Sequence, residues 1–361
     1  MSGNADDFEA VVKSSPSEAV AAFSERKGVL ARVQHALHVN PALVPLFVLV
    51  ASIVIFGLLL GSKFFSPFAL TLILQQVQIV GIVAAAQSLV ILTAGIDLSV
   101  GAIAVLSSVI MGQFTFRYGM PVELAVVFGL AFGTAIGAIN GWLIAAMKLP
   151  PFIVTLGMWQ IVLAANFLYS ANETIRSQDI EAQAPMLQLL GTTFKIGADP
   201  DGRGGATFTY GVIAMVLIFA FLAYVLSQTA WGRHIYAVGD DPEAAQLSGV
   251  NVKRTLISVY AVTGFICAIA GWALIGRIGS VSPTSGQLLN IESITAVVIG
   301  GISLFGGRGS ILGPLFGALI VGVFTLGLRL AGADAQWTFL LIGALIIGAV
   351  AVDQWIRKVS A

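Results

Sequence analysis

Charge is what this 361-residue chain has least of. Only 10% of its residues are Asp, Glu, Lys or Arg, against about 25% in soluble domains. The 18 basic and 18 acidic residues cancel, so no bulk field invites nucleic acid. A single cysteine, Cys267, excludes an intrachain disulfide and a cysteine-built metal site. No lysine follows a glycine, so the Gly-Lys-Ser/Thr turn of a P-loop is missing, and with it that mode of ATP binding. His35, His38 and His234 lack zinc-protease spacing, and no Gly-x-Ser-x-Gly elbow presents a nucleophile. No catalytic residue, metal site or cofactor is expected in this chain.

Apolar length is what it has in abundance. The chain is 57% hydrophobic, with a mean hydropathy of +0.94. Windows approaching the roughly 20 residues that cross a hydrocarbon core recur along it. They fall near 42–60, 69–94, 99–116, 122–147, 152–170, 209–228, 255–276, 292–305, 311–330 and 337–353. The expected fold is all-α: a polytopic membrane protein of about ten transmembrane helices, some of them broken. Residues 1–40 are polar, and the first apolar run starts too late for a signal peptide. They read as a cytoplasmic tail ahead of a transmembrane domain at 41–356. With the N-terminus inside, 11 Lys and Arg residues face the cytoplasm and 7 face outward. That bias favours both termini inside. Residues 171–208 form the one sizeable outer segment, and the Asp-Pro-Asp-Gly-Arg-Gly-Gly run at 199–205 reads as turns.

Polar side chains inside apolar windows are costly, so they mark interhelical bonds or a solute path. Gln75, Gln76, Gln78, Gln87 and Ser88 lie in the second window, Asn140 in the fourth, and Gln160 and Asn166 in the fifth. Nearly all are neutral amides, which suit a neutral polyol better than an ion. Gln75, Gln78, Asn140 and Asn166 are the candidates for a translocation path. Gly129, Gly133, Gly137 and Gly141 recur every fourth residue and let a helix, within the chain or across a subunit interface, approach closely. Gly309, Gly313 and Gly317 repeat the pattern. Two glycine-rich breaks follow. Thr93-Ala94-Gly95-Ile96-Asp97-Leu98-Ser99 offers Gly95 as a flex point and Asp97 or Ser99 as a cap. In the second, Gly300 and Gly301 are flex points and Ser310 caps the next helix.

Residues 239–250 stand apart: Gly239-Asp240-Asp241-Pro242-Glu243-Ala244-Ala245-Gln246-Leu247-Ser248-Gly249-Val250. Pro242 suits a first helical position, Asp240 or Asp241 a cap, and Gly249 a stop. A rigid polar knob between membrane spans implies that something soluble docks on it.

Three stretches carry a family resemblance. Residues 89–101, 239–250 and 296–310 resemble, in order and spacing, the signatures of bacterial ABC importer permeases of the ribose/xylose/arabinose/fructose family, with a fructose-type permease in view. The resemblance runs over about residues 45–355. It implies an inner-membrane permease subunit that passes a monosaccharide, in a homodimer or a pair with a related permease. A cytoplasmic ATPase would bind Glu243, Ala244, Ala245 and Gly249, the coupling segment, and a periplasmic sugar-binding protein would deliver the solute. Glu292 stands where the family pattern suggests an Asp. The alternatives are a nucleoside or branched-chain amino-acid ABC permease, and an ion-coupled secondary transporter, for which Asp97 and Glu292 would be the coupling acids.

Overall fold

The computed structural model describes residues 42–197 and 205–360. The expected tail at 1–40 and most of the turn run at 199–205 lie outside them. The chain is α-helical and multi-pass. Its helices are α1 (Leu43–Leu60), α2 (Pro67–Leu92), α3 (Val100–Tyr118), α4 (Val122–Met147), α5 (Pro151–Ser170), α6 (Ser177–Gln183), α7 (Tyr210–Gln228), α8 (Ala230–Asp240), α9 (Pro242–Leu247), α10 (Val252–Ile278), α11 (Leu289–Ile299), α12 (Leu312–Leu330) and α13 (Ala335–Ser360). Eight of these are long and apolar enough to cross a membrane, and Leu289–Ile299 and Gln336–Ala351 are shorter apolar stretches.

Eight of the expected windows match a helix to within three residues. The window at 292–305 does not: α11 starts earlier and ends at Ile299. Gly301 takes a φ of +76° there, which a right-handed helix cannot continue through. The last helix runs past the expected residue 353 to Ser360.

Three helices form the centre. Within their best 18-residue windows α3 is 78% buried and α2 and α10 are each 67%, against 22% for α1 and α5. Residues 77–92 and 100–113 are buried without interruption. Helices apolar all round belong in such a position. The α4 glycines press against α10: a Cβ on Gly137 would overlap the Tyr260 carbonyl oxygen, and one on Gly133 would stand 2.7 Å from that of Gly264. This glycine band thus serves packing inside the chain. Several hydroxyls in the spans bond back to their own helix, as Ser88 Oγ does to Ala84 O at 2.6 Å and Thr134 Oγ1 to Leu130 O at 2.7 Å, which hides them from hydrocarbon.

The segment after α5 is more ordered than turn residues suggested. It contains α6, a 3-10 stretch at Pro185–Gly191, and a hairpin of β1 (Thr193–Ile196) and β2 (Ala206–Thr209). The strands pair antiparallel with Phe194 opposite Phe208, and the two rings stack at 5.7 Å. The hairpin is tied to the start of α2 by Thr207 N donating to Thr71 Oγ1 at 2.8 Å. Gln188 Nε2 donates to Gly279 O at 2.9 Å, at the end of α10. This segment therefore covers one end of the bundle. The opposite end carries residues 92–99, 229–251 and 300–311.

Candidate functional site

The three stretches singled out from the sequence meet at that opposite end. Gly307 N donates to Leu92 O at 3.0 Å, joining the second break to the end of α2. Gly239, near the end of α8, lies against both: a Cβ there would overlap Leu92 O and stand 2.6 Å from Gly307 N. A Cβ on Gly306 would stand 2.6 Å from Gly239 O and 2.7 Å from the Ala94 Cβ. Tyr236 Oη donates to Gly309 O at 2.9 Å. Burial raises the Tyr236 phenol above its ordinary range, so it stays a donor. Backbone touching backbone at this density leaves no room for independent movement.

The knob itself is rigid and outward-facing. Asp241 caps α9, its Oδ1 accepting from Glu243 N at 2.9 Å and Ala244 N at 3.0 Å. Asn251 caps α10 in the same way, from Arg254 N at 2.9 Å. Ala245 is buried, whereas Glu243, Ala244 and Gly249 are exposed. Gly249 takes a φ of +88° as the chain turns out of the helix. Leu247 is 90% exposed. Thr229 Oγ1 accepts from Gly232 N at 3.2 Å to start α8, and Trp231 Nε1 donates to Ser258 Oγ at 2.8 Å to fix α8 on α10.

The first break is gripped from several helices. Asp97 is fully buried, and its Oδ1 accepts from Ser99 N at 2.7 Å and Ser99 Oγ at 2.6 Å. Asn140 Nδ2 reaches from α4 to Ser99 Oγ at 3.0 Å, and Thr155 Oγ1 reaches from α5 to Ile96 O at 3.0 Å. The Gln87 amide, oriented to match its neighbours, pairs with the Asp97 backbone N and O at 3.2 and 3.1 Å. The capping expectation needs correction here. Ser99 holds the N-cap position of α3, but its hydroxyl donates to Asp97 and accepts no helix N–H. Asp97 makes a tight turn with Ser99 instead of reaching the next helix. In the second break Ser310 Oγ does accept from Leu312 N, at 3.4 Å.

The flex-point residues divide by geometry. Ala94, not Gly95, has the positive φ, at +60°. Gly95 is small because a Cβ would stand 2.7 Å from Tyr260 Oη. Gly301 carries the positive φ in the second break, and Gly300 is wedged against the backbone of Gly313 and Pro314.

The four path candidates are not gathered in one place. Gln75 is half-buried on α2. Gln78 is fully buried and its Oε1 accepts from Thr209 Oγ1, beside the hairpin. Asn166 Nδ2 donates to Pro283 O at 2.8 Å at that same end. Asn140 holds the first break at the other end. Each of the three buried amides leaves one atom unpartnered among the described residues: Gln78 Nε2, Asn140 Oδ1 and Asn166 Oδ1. Sequence reasoning missed Tyr260, Tyr236 and Thr155. No motif marks them; a tyrosine inside the apolar α10 run is the one signal that was there to read.

Comparison with known proteins follows this geometry. Residues 69–350 match the family described as the permease component of the branched-chain amino acid transport system. A fructose import permease protein of Rhizobium meliloti is 69% identical over 98% of this chain and 97% of its own. A ribose import permease protein of Bacillus subtilis is 38% identical over 86% and 91%. A xylose transport system permease protein of Escherichia coli is 30% identical over 87% and 93%. No solved structure matches. With the family match spanning the membrane helices from α2 to α13, and the similarity to sugar permeases running over nearly all of each chain, this protein belongs to the permease-component family of these transport systems.

Proposed function

We propose that the chain is the inner-membrane permease subunit of an ATP-binding cassette importer for a monosaccharide, with fructose the first sugar to test. The observation that carries the mechanism is the joint between α8, which leads into the capped helix α9, and both helix breaks, through Gly239, Leu92 and Gly307. The sugar class rests on the fructose, ribose and xylose relatives. The chain offers no P-loop, so a separate cytoplasmic ATPase supplies the work. That partner docks on Glu243, Ala244 and Gly249 and covers Leu247, an apolar side chain left 90% exposed on a polar knob. Closure of two ATPases displaces α9. Because α8 and α9 are joined at Asp241, and Gly239 touches both breaks, the displacement passes directly to the ends of α2, α3, α11 and α12. Tilting those ends opens the path toward the face carrying the hairpin, where a sugar-binding protein releases its ligand. In this orientation both termini and α9 face the cytoplasm.

The test is reconstitution in proteoliposomes with the cognate ATPase and binding protein. ATP-dependent uptake of labelled fructose, competed by free monosaccharides and unchanged when the membrane potential is collapsed, is the expected result. The purified chain alone is expected to show no ATPase activity. Competition by leucine or adenosine, with none by any monosaccharide at large excess, overturns the sugar assignment.

A further inference from the structure

Between α10 and α11 the chain runs through membrane depth without a helix. Residues 281–288 lie alongside α3, and their contacts with α3 set their level. A Cβ on Gly112 would stand 2.9 Å from Val281 Cγ2. One on Gly286 would stand 3.3 Å from Val105 Cγ2, and one on Gly101 would stand 3.0 Å from Asn290 N. From Gly101 to Gly112 is about 16 Å along α3 at 1.5 Å per residue. Since α3 is itself a membrane span, the segment beside it lies within the hydrocarbon. From its foot α11 continues to the second break. Segment and helix together make one broken span.

Non-helical backbone at this depth is tolerated where it is buried in protein or lines a water-filled cavity. Part of the segment is buried: Val281 pairs with Ile175, and Pro283 O accepts from Asn166 Nδ2 of α5 at 2.8 Å. The rest is open. Thr284 and Gln287 are exposed. Ser285 N, donating to Ser282 O at 3.3 Å, is the one backbone N–H between Ser282 and Leu288 that is hydrogen-bonded among the described residues. The Gln287 side chain bonds to none of them. At the foot, Leu288 gives the start of α11 no side-chain bond, and Asn290, 4% exposed, keeps Oδ1 unpartnered. Lipid satisfies none of these groups; water and a polyol do. Nothing from residue 279 to 291 is charged, so nothing there selects an ion. Leu288 and Ile291 are 48% and 57% exposed beside Gln287. A sugar carries hydroxyls on its rim and C–H groups on its ring faces, so an amide beside an aliphatic side chain suits both.

We propose that the non-helical half of this broken span lines the solute path, and that Thr284 and Gln287 are the side chains on it that bond a passing monosaccharide. The Gln287 amide both donates and accepts. Thr284 Oγ1 stands 3.1 Å from Ser282 Oγ and keeps capacity for a further bond. Leu288 meets the ring C–H groups, and the free backbone N–H groups add donors, as the start of a half-helix does in a membrane. The access of water to this segment rests on the geometry alone. The contact with sugar rests on the importer reading above.

The experiment uses the whole importer in membranes, with Cys267→Ala removing the native thiol. Gln287→Cys is expected to react with a membrane-impermeant cationic methanethiosulfonate, and Leu217→Cys, exposed on α7, is not. Fructose supplied with the binding protein and ATP is expected to slow the reaction at Gln287→Cys, relative to binding protein and ATP without sugar. Gln287→Leu is expected to cut uptake per inserted importer about tenfold while ATP hydrolysis continues, with Gln287→Asn recovering part of it. Where Gln287→Cys does not insert, Thr284→Cys takes its place in the labelling. No reaction, or an equal reaction at Leu217→Cys, overturns the water-lined segment. A reaction that sugar does not slow, or full uptake in Gln287→Leu, overturns the contact with sugar. If the parent importer takes up no monosaccharide, the importer reading has failed, and the labelling still decides whether water reaches the segment.

Discussion

Replacing Gly239 by alanine places one methyl group where Leu92 O and Gly307 N already stand. The new Cβ would overlap the carbonyl oxygen and lie 2.6 Å from the nitrogen, whereas nine in ten real Cβ contacts exceed 3.4 Å. The neighbours must withdraw by close to an ångström. The hydrogen bond between Gly307 N and Leu92 O, now 3.0 Å, would stretch to about 4 Å and cease to be one. Overpacking of this kind costs about 1–3 kcal/mol, and a lost internal hydrogen bond adds about 1 kcal/mol. The sum, about 2–4 kcal/mol, is below the roughly 5–15 kcal/mol of net stability common to folded proteins. Gly239→Ala should therefore insert and fold, with the joint between α8 and the two breaks sprung apart. In proteoliposomes with ATPase and binding protein, uptake per inserted importer is expected to fall at least about tenfold while ATP hydrolysis continues. Gly119→Ala, after the end of α3 away from the knob, is the comparison: nothing lies within 4 Å of a Cβ there, and its positive φ costs about 1–2 kcal/mol. Uptake should stay near normal. Unchanged uptake, coupling and melting temperature in Gly239→Ala would refute the idea that this contact transmits motion.

Three further outcomes follow from the geometry. Asp97→Ala strands the Ser99 N–H and hydroxyl in a dry site, at about 1–3 kcal/mol each, so melting in detergent should drop by several degrees, while Asp97→Asn keeps the accepting oxygen and loses less. Leu247→Asp should abolish co-purification of the ATPase without changing the level of inserted permease, because the side chain touches nothing within the chain that it could disturb. Gly137→Ala drives a methyl group into the Tyr260 carbonyl and should cost about 1–3 kcal/mol of stability, whereas Gly343→Ala, with open space around its Cβ, should be neutral or slightly stabilising by helix propensity.

The spans were legible because a membrane helix announces itself by apolar length alone, and α4 begins and ends where its window does, at 122 and 147. The capped helix α9 was legible for a different reason: Asp241, Pro242 and Gly249 are local stop and start signals, and the hydrogen bonds of Asp241 follow from its neighbours two and three residues on. What could not be read was contact. Leu92, Gly239 and Gly307 lie far apart in the chain, and nothing local in any of them says that they touch. Gly95 misled for the same reason. Its smallness answers to Tyr260 on another helix, and the unusual dihedral belongs to Ala94. The hairpin after α6 hid because its strands are four residues each, too short for alternation to stand out. Gln78 and Asn166 read as a path or as glue from sequence, and their bonds to Thr209 and Pro283 leave each with one further atom to offer.

The joint at Leu92, Gly239 and Gly307 also bears on how the protein is made. Ribosomes deliver the chain from its N-terminus, and early segments settle before late ones exist. When α9 first emerges, Leu92 is already in place but the stretch holding Gly307 has not been synthesised. The seat beneath the knob is then missing one of its walls. Only after α11 and α12 have inserted does the last hydrogen bond close on Leu92 O and fix the knob at its working angle. On the importer reading proposed above, a partner that docks on the seated knob would meet its finished shape only in chains whose α11 and α12 have already inserted.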